Sequence, residues 1–249
     1  MTRAADATPR DWFRAWFGDE YLAIYPHRDI EEARRAVQLY LDRVPPSPGS
    51  VLDLACGAGR HLRELLAAGV RAAGLDLSIT LLERAREESP KAQLVRGDMR
   101  RLPFDDGSFA GLTSFFTSFG YFATRDQDRV AATEMRRVLR PGGSFMLDFL
   151  NADRVRRELV PSESGRIRGY DVSVARKIKD DTVVKTITLN ADEGDEVRRY
   201  EERVRLYEAG QLAQLLSEVG LETQLRFGDY EGAEFDSSSA RLILAGVAA

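Results

Sequence analysis

One cysteine, Cys56, stands in 249 residues. That excludes an intramolecular disulfide and any multi-cysteine zinc or iron–sulfur site, and it fits a reducing compartment. Histidine is nearly as scarce, and neither His27 nor His61 lies in an acidic cluster, so no metal site is expected. Lysine is reduced to Lys91, Lys177, Lys179 and Lys185, with arginine, scattered along the chain, supplying the other cations. There is no excess of positive charge: 36 Lys+Arg against 40 Asp+Glu leave a formal −4. Without a global basic field, sequence-independent attraction to phosphate backbones is lost, and nucleic acid is disfavoured as a partner. Long apolar runs are missing too. The opening MTRAADATPRDWFRAW has no apolar signal core, and the closing Leu242 to Ala249 is far too short to cross a bilayer, so a cytoplasmic chain without a membrane partner is expected. What remains, 43% hydrophobic and 31% charged residues, is the composition of a chain that folds.

Periodicity organises that chain. Ala33, Ala36, Val37, Tyr40, Leu41 and Val44 share one face of a helix expected from about Ile30 to Val44, with Asp29 and Glu32 resembling a capping box. Pro45, Pro46, Pro48 and Gly49 end it. Short apolar runs follow at 51–55, 71–77, 93–98, 108–116 and 145–150, alternating with helical patterns at about 60–68, 79–88 and 126–139. Thr124 and Gln127 read as a capping box for the last of these, and Arg140-Pro-Gly-Gly143 as its stop. Five strands alternating with helices argue for an open α/β sheet with right-handed crossovers. The period then changes to two between Gly165 and Tyr207, where Asp180-Asp181 and Asp192-Glu-Gly-Asp195 read as turns of a three-stranded antiparallel ribbon. A helix with Leu212, Leu215, Leu216 and Val219, closed by Gly220, and strands near 221–227 and 240–247 return to the sheet. The domains expected are an N-terminal helical lid at 1–48, a core at 49–160 and 207–249, and a β cap inserted at 161–206.

The chemistry is concentrated in Val51-Leu-Asp-Leu-Ala-Cys-Gly-Ala-Gly-Arg-His-Leu62, where a buried strand enters a helix through a turn with little side-chain bulk. A ligand can approach the backbone and the helix N-terminus there. As a dinucleotide fingerprint the stretch fails, because Leu62 occupies the third glycine's place, and no Lys-Ser/Thr pair makes it a P-loop. Asp53, ahead of the turn, suits an ammonium group and would repel a pyrophosphate. Asp76, at the end of the second strand, can accept both hydroxyls of an unphosphorylated ribose. Asp98, past the third strand, can accept from an exocyclic adenine amine, with Met99 beside it for the ring. Ammonium, ribose and adenine together describe S-adenosylmethionine.

These stretches, with Gly74-Leu-Asp-Leu-Ser78, Gly97-Asp-Met99, Leu102-Pro-Phe104, Gly107-Ser-Phe109 and Val138-Leu-Arg-Pro-Gly-Gly143, resemble the ordered motifs of the class I S-adenosylmethionine-dependent methyltransferases. The likeness covers about residues 50 to 150. It implies an α/β fold: a Rossmann-like, seven-stranded, mostly parallel sheet with helices on both faces and its last strand antiparallel. It also implies S-adenosylmethionine as cofactor, leaving as S-adenosylhomocysteine, across the carboxyl ends of the first strands. Asp53, Ala55, Gly57 and Gly59 would surround the methionine end, with Cys56 in the same turn as a small packing residue rather than a nucleophile. Asp76 and Leu77 would meet ribose and adenine, Asp98 and Met99 the adenine, and Phe115 the sulfonium side. Ala55 stands where the family usually has glycine, which is harmless if its φ is negative; Ala110 replaces an acid common at the start of the fourth strand.

The reaction expected is in-line transfer of a methyl group to N or O of a small-molecule acceptor, with positioning and water exclusion as the main catalytic devices and no obligatory base. Tyr121, in the aromatic stretch Phe115 to Phe122, is the candidate acceptor contact, while Phe116, Phe119 and Phe122 read equally well as core. Tyr21, Tyr25, His27 and Arg28 could fold over the cofactor as a lid. His61, on a first helical turn, reads as a surface or packing residue. The inserted cap is similar to caps on methyltransferases of small molecules, where it often helps subunits associate, so a homo-oligomer through the β cap is expected. A macromolecule-directed methyltransferase and a non-catalytic cofactor-binding module are the alternatives.

Overall fold

The computed structural model describes residues 12–25, 29–167, 169–191 and 197–249. Its frame is a seven-stranded sheet built from β1 (Val51–Leu54), β2 (Ala72–Asp76), β3 (Gln93–Arg96), β4 (Phe109–Ser114), β5 (Leu139–Leu150), β10 (Leu221–Phe227) and β11 (Arg241–Ala248), in the order β10-β11-β5-β4-β1-β2-β3. β11 runs antiparallel to both neighbours, whereas the β1–β2, β2–β3, β1–β4 and β4–β5 pairs are parallel. All four residues of β1 are buried, as a central strand covered on both faces requires. The chain steps outward from β1 to β3 and then returns to β4 on the other side of β1. That reversal opens a crevice at the carboxyl ends of the strands, where ligands of such sheets bind.

Helices α3 (Ile30–Arg43) and α4 (Arg60–Ala67) cover one face; α6 (Arg125–Val138) and α8 (Ala209–Glu218) contact each other on the opposite face. The side-chain alternation of β11 shows the two layers: Leu242 and Leu244 pack with Leu212 and Leu216 of α8, while Ile243 and Ala245 pack with Val37 and Tyr40 of α3. The caps follow the sequence in part. Asp29 accepts from Glu31 N–H, but Glu32 pairs with Arg60 instead of closing a box. Thr124 accepts from Gln127 N–H, while Gln127 reaches back to Ala123 N–H. A further helix, α5 (Ile79–Glu88), is capped by Ser78, whose hydroxyl accepts from Leu81 N–H.

One expectation gains detail and one needs correction. Within the expected N-terminal helical segment, α1 (Trp12–Trp16) and α2 (Asp19–Ile24) precede the helix at Ile30, too short to show a period, and bury Trp12, Phe13, Trp16, Tyr21 and Ile24. The cap has four strands rather than three, β6 (Ser162–Ile167), β7 (Tyr170–Lys179), β8 (Thr182–Ala191) and β9 (Val197–Arg205), after a short helix α7 (Ala152–Glu158). β6 is an edge strand, exposed along most of its length, so burial imposes no alternation on its sequence. Asp180 and Asp181 do make the β7–β8 turn, both with positive φ (49° and 53°), as a two-residue hairpin of this hand needs. The expected turn at 192–195 lies outside the described residues. Val172, Val174, Ile187 and Leu189 share the buried face of the cap, and Trp16 of α1 packs against Tyr200 of β9, the rings tilted by 44° with centroids 4.8 Å apart. Among the described residues, no helix is long and apolar enough to cross a membrane.

Candidate active site

A cavity of about 940 Å³ occupies the crevice, with the ends of β1 to β4 on one side and α1, α2 and the cap on the other. The turn after β1 forms its floor. Gly57 (φ 55°) and Gly59 (φ 81°) are left-handed, and a Cβ on Gly59 would come within 2.9 Å of Ala85 Cβ, so the turn lies hard against α5. Ala55 departs from expectation, since its φ is +57° rather than negative. An alanine in that region costs about 1–2 kcal/mol. Ala55→Gly is therefore expected to raise stability by roughly 1 kcal/mol, net of the glycine's greater freedom when unfolded. Chemical denaturation of both proteins measures it; an unchanged or lowered midpoint would contradict the strain.

Asp76 ends β2 at the cavity wall. Its Oδ2 accepts from Gly57 N–H and its Oδ1 from Ser78 N–H, both at 2.8 Å, so the carboxylate joins the glycine turn to the start of α5. Burial raises its pKa, and these backbone donors oppose the rise. Leu77 and Met99 line the same wall, as do Cys56, whose thiol pKa burial drives well up, and Phe115, whose ring lies 4.6 Å from that of His61. His61 is buried and lines the same cavity, so it is not a residue of the outer surface.

Asp53 is placed differently from the expectation. Strand alternation turns it away from Leu52 and Leu54 toward α4, and it does not line the cavity. Thr113 donates to its Oδ1 at 3.2 Å, and Leu62 N–H, third in α4, also reaches the carboxylate. The N-cap of α4 is Gly59, which has no side chain to offer, and the Asp53 carboxylate lies beneath that helix start on the strand below. Its Oδ2 has no partner among the described residues. Burial pushes the carboxyl up to about 7, with the Asp76 charge adding to the rise and the Thr113 hydrogen bond opposing it. An acid with a higher pKa folded than unfolded stabilises the native state at low pH, and that stabilisation fades as pH rises from about 4 to about 7. The wild type is therefore expected to lose stability relative to Asp53→Asn by up to about 4 kcal/mol across that window. Melting curves of both proteins from pH 4 to 8 check this; a difference that stays constant with pH would refute it.

Asp98 also reaches the cavity, but much of its hydrogen-bonding capacity is committed. Arg100 donates from Nε at 3.0 Å and from Nη2 at 2.6 Å, and Arg14 of α1 stands 3.4 Å away. Partial burial would raise its pKa, yet the Arg100 hydrogen bonds and charge prevail and hold it below the usual carboxylate range.

The far side is aromatic. Tyr121 lines the cavity, stacks on Phe17 (6.0 Å, 19°), and accepts at its carbonyl from Trp12 Nε1 at 3.3 Å. Tyr21 and Tyr25 line it too, whereas His27 and Arg28 lie outside the described residues. Several wall residues escaped the sequence reading. Lys185 and Glu202 face each other across β8 and β9 at 3.1 Å; Lys185 donates to Tyr25 hydroxyl at 2.5 Å, and Trp16 Nε1 donates to Glu202 at 2.5 Å. Ser78 hydroxyl donates to Phe17 carbonyl at 2.5 Å, so the N-terminal helices touch the Asp76 wall as well as the cap. Trp12, Phe13 and Phe17 of the N-terminal segment also line the cavity, and the aromatic cluster Trp12-Phe-Arg-Ala-Trp-Phe17 was their visible signal; nothing local marked Lys185 or Glu202.

Residues 51–143 match the model of a methyltransferase domain family. The chain is similar to a dTDP-3-amino-3,4,6-trideoxy-alpha-D-glucopyranose N,N-dimethyltransferase of Streptomyces venezuelae, 32% identical over 159 residues, covering 59% of this chain and 63% of that protein. It spans 53 to 63% of the length of the curated sugar methyltransferases that it matches. Among solved structures, the CcbJ methyltransferase of Streptomyces caelestis superposes with a TM-score of 0.79 at 22% identity, over 94% of this chain and 98% of that one. DesVI of Streptomyces venezuelae superposes with a TM-score of 0.65 at 26% identity, over 92% and 95%. Sheet order, crevice and glycine turn agree with these likenesses: residues 51–143 are similar to a methyltransferase domain, and the chain has the fold of the class I S-adenosylmethionine-dependent methyltransferases.

Proposed function

We propose that the protein transfers a methyl group from S-adenosylmethionine to N or O of a small-molecule acceptor. The observation that carries this reading is the cavity itself, which has a glycine turn and a ribose-ready carboxylate on one wall and is roofed by α1, α2 and the cap on the other. The residues suit the cofactor. Asp76 keeps lone pairs toward the cavity beyond the two backbone donors it already serves, and the side-chain-poor turn leaves room for a backbone-hugging amino-acid tail. When bound, the cofactor supplies an electrophilic methyl group on a sulfonium.

Gly57 and Gly59 then admit the methionine end; Asp76 accepts from the ribose hydroxyls; Leu77 and Met99 flank the adenine, and Asp98 shares its carboxylate between Arg100 and the adenine amine. Asp53 acts at one remove, by fixing the helix start above the turn. Phe115 borders the sulfonium side. Tyr121 aligns the acceptor, and the aromatic wall with the Lys185–Glu202 pair keeps it out of bulk water. Sugar amines, on which the similar enzymes act by name, are the first acceptors to try. Isotope-labelled S-adenosylmethionine offered with a small-metabolite extract, and separately with protein and RNA fractions, tests the reading by mass spectrometry. Label is expected in small molecules; label only in macromolecules, or in nothing, overturns it.

A further inference from the structure

β4 ends at Ser114, and the next four residues, Phe115, Phe116, Thr117 and Ser118, all line the cavity. A chain continued at the strand period of two would turn alternate side chains away. Two consecutive left-handed residues break the alternation, Phe116 (φ 61°) and Thr117 (φ 59°), neither of them glycine. Such a conformation persists only where its surroundings over-determine it, and it clusters at working sites.

Here the surroundings converge on Asp148 of β5, fully buried and not itself part of the cavity wall. Its Oδ2 accepts from Phe116 N–H at 2.6 Å and its backbone carbonyl from Thr117 N–H at 3.1 Å, so one residue holds two successive amides of the turn. The carboxylate is braced in its turn. Arg241 of β11 donates from Nε to Oδ1 at 2.7 Å and from Nη2 to Oδ2 at 2.9 Å, and the Tyr230 hydroxyl donates to Oδ2 at 2.5 Å. The same guanidinium donates to Thr117 Oγ1 at 2.9 Å and lies 5.4 Å from the Phe116 ring centroid. An arginine forked onto a carboxylate fixes direction as well as charge.

We propose that Asp148, braced by Arg241 and Tyr230, is a positioning residue for methyl transfer: it holds the Phe115–Ser118 turn in the strained shape that makes four successive residues one wall of the reaction cavity. The proposal rests on the methyltransferase reading above. The turn aligns reactants without Asp148 touching them, so losing the brace should lower kcat more than it weakens cofactor binding, which only Phe115 of the turn borders.

Three variants test it: Asp148→Asn, Tyr230→Phe, and Tyr230→Phe combined with Thr117→Asn, since asparagine adopts the left-handed region more readily than threonine. For each, S-adenosylhomocysteine affinity is measured by calorimetry, kcat on the metabolite fraction labelled by the wild type, and amide exchange over 115–118 by mass spectrometry. Expected are a Kd within about twofold of wild type, a kcat lowered at least about tenfold in Asp148→Asn and about threefold in Tyr230→Phe, and faster exchange over 115–118 with β1 unchanged. The added Thr117→Asn should restore part of the lost kcat, which a purely structural role would not produce. If Asp148→Asn does not fold, Tyr230→Phe decides, because it removes one hydroxyl only. Wild-type kcat or wild-type exchange in the folded variants overturns the positioning role. A wild type that binds no S-adenosylhomocysteine overturns the methyltransferase reading and this proposal with it.

Discussion

Asp76→Asn should weaken S-adenosylhomocysteine binding on the order of 100-fold, the scale of one charge-assisted hydrogen bond of about 1.5–3 kcal/mol. The carboxylate is acceptor-only, and its surroundings demand that. Gly57 and Ser78 donate to its two oxygens from the protein side, and the ribose hydroxyls are to donate from the cavity. An amide keeps one acceptor and turns an N–H toward one of those backbone donors, so the glycine turn loosens at the same time. Calorimetry on the folded variant reads the outcome directly. An affinity equal to wild type would show that the ribose is held elsewhere.

Asp128→Ala should cost about 3–5 kcal/mol of stability, the usual scale for removing one partner of a buried ion pair. For a chain of this size, that lowers the melting temperature on the order of 10 °C. Asp128 is fully buried near the start of α6, where burial raises its pKa. Its Oδ2 accepts from the Tyr207 hydroxyl at 2.6 Å and from Arg205 Nε at 3.1 Å. Arg205 closes the cap's last strand, and its Nη2 also donates to the carbonyls of Phe122 and Ala123. The carboxylate thus fastens the cap to the aromatic segment after β4, and its loss strands a guanidinium and a phenol together. Thermal unfolding that moved by less than about 1 kcal/mol would show that the tie carries little load.

The elements that the sequence announced most clearly are those that bury a continuous run or a single stripe. β1, β4 and β11 are covered on both faces, so an unbroken apolar run suffices to recognise them, and α3 has a single buried stripe at helical spacing. β6 was missed because nothing buries it, and α1 and α2 because five or six residues cannot display a period. The acids divide in the same way. Asp76 could be placed at a strand end from the sequence, because its position follows from strand length alone. Asp53 could be given a strand but not a face, and the face decided that it lies under the start of α4 instead of meeting the cavity.

By itself, the order of residues determined the βα alternation, the side-chain-poor turn at 55–59 and the acids Asp76 and Asp98 at the ends of β2 and β3, since all of these are set by neighbours within a few positions. Only the tertiary structure decided what lies opposite them. Asp148 meets Phe116, Tyr230 and Arg241 across gaps of 32, 82 and 93 residues, and Trp16 meets Glu202 across 186. Such pairings are fixed by which strands cross and which faces are buried. No local propensity encodes them, because the energy that selects them exists only once the sheet, the cap and the N-terminal helices are packed together.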